Sequence, residues 1–271
     1  METTKQLKTQ NVKPKNVKPK NKKVNSEEKV TIKTNVNTGS ILNDTINKDN
    51  YVNNFINFLK HTLIQFCDAQ NSANSTTNIT DSKHETFIKN LLITNFKFKE
   101  VKNNKDNKFI RSMIDNPETS FLKPGEFIHQ PFGTQSNPDF IIQLTKTIII
   151  PLEAKSSKTS YKPTYNSGSV KPQYLYIFSC GINKQTTIYM GSSIITDIQE
   201  KLIKELLKKQ QQLEKEYNKL LLENDINQRG LSYYTRQMIN QSGNKEKTNY
   251  FIHKDRKQCE KKVFEYLEQF I

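Results

Sequence analysis

Residues 138–155 read PDFIIQLTKTIIIPLEAK, in which two apolar, β-branched runs flank the short polar stretch Thr145-Lys146-Thr147. The runs Phe140–Leu144 and Ile148–Leu152 are typical of neighbouring strands, and their short connection favours a β-hairpin. If the turn is centred on Lys146, antiparallel partners have residue numbers that add up to 292. This register is the starting point for the rest of the interpretation.

The register predicts a charged cluster at the open end of the hairpin. Asp139 lies directly opposite Glu153, and the Cβ atoms of such a pair are about 4.5–5.5 Å apart. Side chains alternate along a strand, so Lys155 shares the face of Glu153, while Leu152 and Ala154 point into the core. Two carboxylates and one ammonium group are therefore expected at one place.

Two carboxylates this close repel each other unless a cation lies between them, and an oxygen-only pair suits Mg²⁺. A structural interpretation is also open: Asp139 caps a strand after Pro138, while Glu153 and Lys155 form a surface salt bridge. Pro151 complicates the register, because it lacks a ladder donor and implies either a bulge or an unpaired edge.

Composition limits the classes of function. The 271 residues carry a formal charge of +15, mostly from Lys, which favours a polyanionic partner. No apolar run approaches the ~18 residues of a membrane span, so an intracellular, soluble protein is expected. Three widely spaced cysteines argue against disulfides and zinc fingers. The glycines form no nucleotide-binding loop.

The chain is predicted to divide into a disordered Lys-rich arm, residues 1–48, and a domain over residues 49–271. The arm repeats NVKPK at 11–15 and 16–20, and prolines among lysines resist regular structure. It would hold DNA nonspecifically, act as a nuclear-localisation patch, or simply solubilise the chain. Residues 1–50 account for +6, so +9 remains on residues 51–271.

The domain is predicted to be α/β (α+β), with a central mixed sheet flanked by helices. Apolar periodicity predicts helices at Asp49 to about Asp68, from near Ser82, and over about 255–270. A long charged helix is predicted from Asp197 to about Asp225. Further strands are expected at Tyr174–Phe178 and Thr187–Met190, separated by a turn.

Pro138-Asp139 followed by Glu153-Ala154-Lys155 resembles the PD-(D/E)xK nuclease signature. The longer strings at 130–140 and 152–157, and Tyr165-Asn-Ser-Gly168 leading into 174–178, are similar to type II restriction endonucleases. The resemblance spans roughly residues 80–260. It implies a restriction-endonuclease-like sheet, Mg²⁺-dependent phosphodiester cleavage with Asp139 and Glu153 as metal ligands, and frequently a homodimer acting on double-stranded DNA.

Members of this family often carry an acidic residue on the helix before the hairpin, and Glu85 is the matching candidate for the catalytic group. Glu85 lies on the same helical stripe as Ile88 and Leu92, so it is expected to face inward. Equally, Ser82 and Glu85 fit a capping box at the start of that helix.

Two groups of polar residues are candidate DNA contacts, although loop or surface roles are equally open for them. The first precedes or follows the hairpin, where amides can pair with adenine: Gln130, Thr134, Gln135, Ser136, Asn137 and Asn166. The second concentrates two of the four arginines beside tyrosines, a choice that suits bidentate recognition: Arg229, Tyr233, Tyr234 and Arg236. The helix at 197–225 would either dimerise as a coiled coil or lie exposed across the sheet.

The sequence therefore predicts a Mg²⁺-dependent DNA endonuclease, most plausibly a site-specific type II enzyme. A repair or junction-cleaving nuclease is the alternative within that class. In a second class, the chain is a noncatalytic basic protein that binds or packages DNA, and the charged triad is structural.

Overall fold

A computed structural model describes residues 50–71, 81–134, 136–165, 169–235 and 237–271 of the chain. The predicted disordered arm, residues 1–48, lies outside the described residues. The described part is a mixed α/β fold in which a six-stranded sheet with the order β1-β2-β3-β4-β5-β6 is flanked by helices. The coarse prediction of a central mixed sheet between helices is confirmed.

The sheet combines parallel and antiparallel pairs. Strands β2, β3 and β4 form an antiparallel meander, β5 and β6 form an antiparallel pair, and both β1–β2 and β4–β5 are parallel. The strand bounds are as follows: β1 Lys99–Glu100, β2 Glu126–His129, β3 Phe140–Thr145, β4 Ile148–Ser157, β5 Leu175–Cys180 and β6 Gln185–Met190.

The central hairpin has the predicted register along most of its length. Phe140 pairs with Leu152, and the next three pairs also obey the sum of 292. The register shifts only near the turn, between Gln143 and Thr145, where Thr145 pairs with Ile148. The sequence had placed no irregularity there, because either register keeps apolar residues on both sides of the turn.

Strand β4 changes partners at Leu152. Up to that residue β4 pairs with β3, and from Leu152 to Ser157 it pairs with the parallel strand β5. Pro151 sits opposite Ile141 without a register shift, just before the pairing with β5 begins. The predicted bulge at Pro151 is wrong, because the register does not shift there. On the side of β5, pairing begins only at Leu152, and this unpaired edge tolerates the missing N–H of Pro151.

The long helices lie close to their predicted positions. Helix α1 spans Tyr51–Asn71 and α2 spans Asp81–Thr94; the remaining helices are α3 Asn107–Asp115, α4 Asp197–Glu223, α5 Lys245–Thr248 and α6 Arg256–Glu268. Helix α4 begins with a capping box formed by Thr196 and Gln199, which fixes its N-terminus. None of the described helices is long and apolar enough to cross a membrane.

The two faces of the sheet are covered differently. Helices α1, α2 and α6 bury one face, to which the hairpin contributes Phe140, Ile142, Leu152 and Ala154. The other face is divided into an aliphatic cluster under α3 and an aromatic cluster over β5 and β6. Because side chains alternate along a strand, the odd-numbered residues of β4 near Glu153 lie on this second face, between the two clusters.

Three tyrosine hydroxyl groups join distant parts of the chain within the aromatic cluster. The hydroxyl of Tyr165 lies 2.9 Å from the hydroxyl of Tyr189 and 2.9 Å from that of Tyr250. Tyr176 stacks on Tyr189 with ring centroids 5.3 Å apart. Buried hydroxyl groups need partners, and these tyrosines provide them for one another.

Gly125, just before β2, occupies a conformation and a space that other residues do not fit. Its φ is +83°, and a Cβ atom there would overlap the ring of Tyr51 at the start of α1. Gly133 has nearly the same φ, +87°, but a Cβ atom at Gly133 would meet nothing within 4 Å. The two glycines therefore share the backbone requirement and differ in the space around them.

We predict that Gly125→Ala destabilises the protein more than Gly133→Ala does. The left-handed backbone should cost each variant about 1–2 kcal/mol, and the overlap with Tyr51 should cost Gly125→Ala about 1–3 kcal/mol more. Urea denaturation measures both losses. Equal losses in the two variants would contradict the close packing of α1 against this turn.

Candidate active site

Asp139 and Glu153 lie side by side where β3 and β4 separate. The backbone N–H of Asp139 donates to Glu153 Oε2 at 3.1 Å. In return, Asp139 Oδ2 accepts a hydrogen bond from the backbone N–H of Ala154 at 2.7 Å. The predicted juxtaposition of the two carboxyl groups is therefore present in the structure.

These hydrogen bonds take the place of a strand ladder. Strand β3 begins at Phe140, so β4 has no antiparallel partner beyond Leu152. Buried backbone N–H groups must still be paired, and the Asp139 carboxylate accepts from Ala154 in place of a strand carbonyl. The hydrogen bonds of Asp139 and Glu153 to the backbone therefore stabilise the fold, whatever chemistry the cluster performs.

Lys155 completes the predicted triad. Its Nζ lies 2.7 Å from Glu153 Oε1, and both side chains are largely shielded, with 14% and 3% of their surface exposed. Asp139 is only half-buried, so the cluster is open to solvent on the Asp139 side. A surface salt bridge, as in the structural interpretation, is therefore not what is found: the pair is buried.

Glu85 reaches the same end of the sheet from α2. It is 8% exposed, as expected for an inward-facing residue, and its Oε2 accepts from Gln130 Nε2 at 2.9 Å. His129 Nε2 lies 3.4 Å from the same oxygen. These contacts hold the Glu85 carboxylate toward the loop after β2; the Ser82 side chain, and with it the capping-box alternative, lies outside the described side chains.

Burial and mutual repulsion shift the acidity of the cluster. Burial raises the pKa of Asp139 well above its usual value, and the charges of Glu153 and Glu85 raise it further. Burial also raises the pKa of Glu153, although Lys155 acts in the opposite direction. For Glu85, hydrogen bonds from His129 and Gln130 outweigh burial and lower the pKa.

Three neighbours of the cluster were not singled out from the sequence. His129 ends β2 and stacks on Phe140 with ring centroids 4.9 Å apart. His84 is buried, which lowers its pKa to about 4 and leaves it neutral at pH 7. Tyr174 is buried near Glu153, and burial raises its pKa to about 12. For the two histidines the only sequence signal was adjacency, since His84 precedes Glu85 and His129 precedes Gln130; Tyr174 carried none.

The donor set suits one hard cation and not a closed protein cage. Asp139 and Glu153 supply carboxylate oxygens, and Mg²⁺ is commonly bound through one or two carboxylates together with water and substrate phosphate. Among the described residues, no group of three or more His, Cys, Asp or Glu side chains has the geometry to hold a metal ion. A cation held by Asp139 and Glu153 would complete its coordination with further oxygens, such as those of water or substrate phosphate.

The predicted DNA contacts are dispersed. Gln130 joins the cluster through Glu85, and Ser136 lies in the loop between β2 and β3. Arg229 and Tyr233 follow α4, where the backbone N–H of Arg229 donates to Asp225 and that of Tyr233 donates to Asn218. These two hydrogen bonds do not bring Arg229 or Tyr233 to the carboxylates of Asp139 and Glu153. Gln135, Asn166 and Arg236 lie outside the described residues.

No family model matches the chain, and neither a curated protein nor a solved structure matches it significantly.

We predict that Asp139→Asn stabilises the metal-free protein at pH 7. A carboxyl group whose pKa is raised by folding binds its proton more tightly in the folded state, so stability falls as the pH rises through the window above its usual pKa. The amide removes this repulsion and still accepts from Ala154. The melting temperature should rise at pH 7 in EDTA, and the gain should shrink as the pH falls toward about 4.

The same melting experiment tests cation binding. Added Mg²⁺ should raise the melting temperature of the wild type and leave that of Asp139→Asn nearly unchanged, because only the wild type has two facing carboxylates. Glu118→Gln, at an exposed position, is the matched control and should behave like the wild type. If Asp139→Asn is less stable than the wild type at pH 7 without Mg²⁺, the repulsion between the carboxylates is contradicted.

Proposed function

We propose that the protein is a Mg²⁺-dependent DNA endonuclease of the PD-(D/E)xK type, with Asp139, Glu153 and Lys155 at its centre. The observation that carries the proposal is the meeting of two carboxyl groups and an ammonium group at the point where β3 leaves β4. The mixed sheet with helices on its faces supports a restriction-endonuclease-like fold as part of the same proposal.

Each residue of the cluster has a role that its surroundings support. Asp139 and Glu153 would hold Mg²⁺, which when bound polarises a phosphodiester and acidifies a water molecule. Lys155, held by Glu153, would orient the attacking water as an ammonium ion, or accept its proton in the neutral amine form. Glu85 adds a third negative charge near both carboxylates, and Gln130 positions it.

Double-stranded DNA is the proposed substrate. The formal charge of +15 provides attraction for a polyanion, and the open side of the cluster lies beside the loop that contains Ser136. Amides and hydroxyl groups in that loop are proposed to contact bases, and cations elsewhere on the domain to contact phosphates. The type II, site-specific character is the finer part of the proposal.

A noncatalytic basic DNA-binding protein is the second candidate, favoured by one specific observation. Both Glu153 oxygens and Asp139 Oδ2 already have partners within the protein. In this alternative the carboxylates only replace the missing strand ladder, and Lys155 neutralises the buried charge of Glu153. The two candidates make opposite predictions for metal-dependent cleavage.

We predict that the protein nicks supercoiled plasmid DNA with Mg²⁺ and not with EDTA. Asp139→Ala and Lys155→Ala should each lower the rate by at least about 100-fold, because each removes a group from the reacting centre. Gel-shift assays should show that both variants still bind DNA. Lys146→Ala, which removes the same charge from the turn of the same hairpin, should cleave like the wild type.

The outcomes separate the alternatives. Cleavage that persists in both variants would reject this site, and salt-sensitive binding without cleavage by the wild type would favour the noncatalytic protein. Sequencing the ends of the digested plasmid distinguishes the two kinds of nuclease. A shared sequence at the ends indicates a site-specific enzyme, whereas preferential cutting of branched DNA indicates a junction-cleaving one.

A further inference from the structure

Helix α4 and the segment after it expose most of the apolar surface of the described chain. In this subsection the name arm denotes the described residues within 197–238, and not the Lys-rich residues 1–48. Eighteen large apolar side chains of the described residues are exposed, and thirteen of them belong to the arm. These are Ile198, Leu202, Leu206, Leu213, Tyr217, Leu220, Leu221, Leu222, Ile226, Leu231, Tyr233, Tyr234 and Met238.

The arm is an ordered unit and not a loose coil. Helix α4 has 27 residues and is therefore about 40 Å long. The chain then turns back along it: Asn218 Nδ2 donates to the carbonyl oxygen of Tyr233 at 2.7 Å, and Glu214 Oε2 accepts from the N–H of Thr235 at 3.2 Å. The apolar side chains therefore stand on a supported scaffold.

The two sides of α4 differ in what they contact. Ile203, Leu207, Glu214 and Asn218 recur on one side and are half-buried. The apolar stripe lies on the other side, where Leu206, for example, is 54% exposed. No residue of α4 is fully buried. A water-facing apolar stripe of this length is unfavourable unless something covers it.

The exposed area is large enough for a stable interface. At roughly 50–100 Å² for each side chain, the thirteen residues, which are spread over the whole arm, expose on the order of 1,000 Å² in total. The largest apolar patch of a typical monomer is about 300–600 Å². Each partner in a standard interface buries about 800 Å².

Charge indicates what covers the arm. Residues 197–238 contain eight basic and seven acidic side chains, a net charge of +1, in a chain whose total is +15. A surface for DNA or an anionic membrane needs an excess of cations. A near-neutral helix that carries both signs is instead compatible with a second copy of itself, and it avoids the repulsion between two strongly positive domains.

We propose that the arm associates with the arm of a second copy of this chain, so that the protein is a homodimer joined through α4. The interface buries the stripe that contains Leu206, Leu213 and Tyr217. It does not depend on the nuclease proposal, since it involves none of the residues of the carboxylate cluster. It competes with the expectation that Tyr233 contacts DNA.

Sedimentation equilibrium of the full chain tests the dimer. The wild type should have twice the chain mass, and the triple variant Leu206→Gln, Leu213→Gln, Tyr217→Gln should raise the dimer dissociation constant by at least about tenfold. Glutamine is a good helix former, so circular dichroism should show unchanged helix content. Ile182→Gln with Ile252→Gln, which removes exposed apolar residues outside the arm, should leave the dimer intact.

A second measurement needs no variant. Unlabelled and ¹⁵N-labelled protein are mixed and treated with a lysine-reactive cross-linker, which should join Lys208 or Lys209 of one copy to the arm of the other. Hybrid cross-links between the arms support the proposal. A monomeric wild type would overturn it, as would cross-links from the arm only to other parts of the same copy, or arm-dependent binding of the monomer to DNA or to phosphatidylserine vesicles.

Discussion

The rest of the structure depends on how the sheet satisfies β4 after β3 has left it. From Glu153 onward β4 has only one strand beside it. Backbone N–H groups on its other side, such as that of Ala154, therefore need another acceptor. The Asp139 carboxylate fills this role for Ala154, and Glu153 accepts from Asp139 in turn. Carboxylate oxygens thus replace peptide carbonyl groups as hydrogen-bond acceptors. The repulsion between these carboxylates lowers the stability of the sheet.

The side chains of β4 divide between the two faces of the sheet at the cluster. Leu152 and Ala154 join the core under α1, α2 and α6, whereas Glu153 lies between the two clusters on the other face. Lys155 offsets the charge of Glu153 within the sheet. Burial raises the pKa of Asp139 well above its usual value, and the charges of Glu153 and Glu85 add to that shift. Sites of chemistry commonly keep such unfavourable electrostatics.

Much of the fold follows from local patterns, and the remainder depends on contacts that local patterns do not encode. Strand alternation and a short turn were enough to predict that Asp139 lies beside Glu153, and helical periodicity was enough for α1, α2 and α6. The contact of Glu85 with Gln130 joins residues 45 positions apart, and no pattern specified it. Periodicity likewise identified the apolar stripe of α4 but not what lies against it.

The bonded hydroxyl groups of Tyr165, Tyr189 and Tyr250 constrain the order in which the molecule can be assembled. A ribosome makes Tyr189 24 residues and Tyr250 85 residues after Tyr165, so the second partner of the Tyr165 hydroxyl arrives well after the first. Until then the cover over β5 and β6 stays incomplete, and a hydrophobic face remains accessible to chaperones. The helical side of the sheet also waits, because α6 is made after Tyr250. Both layers therefore close only after residues 250–268 have been made.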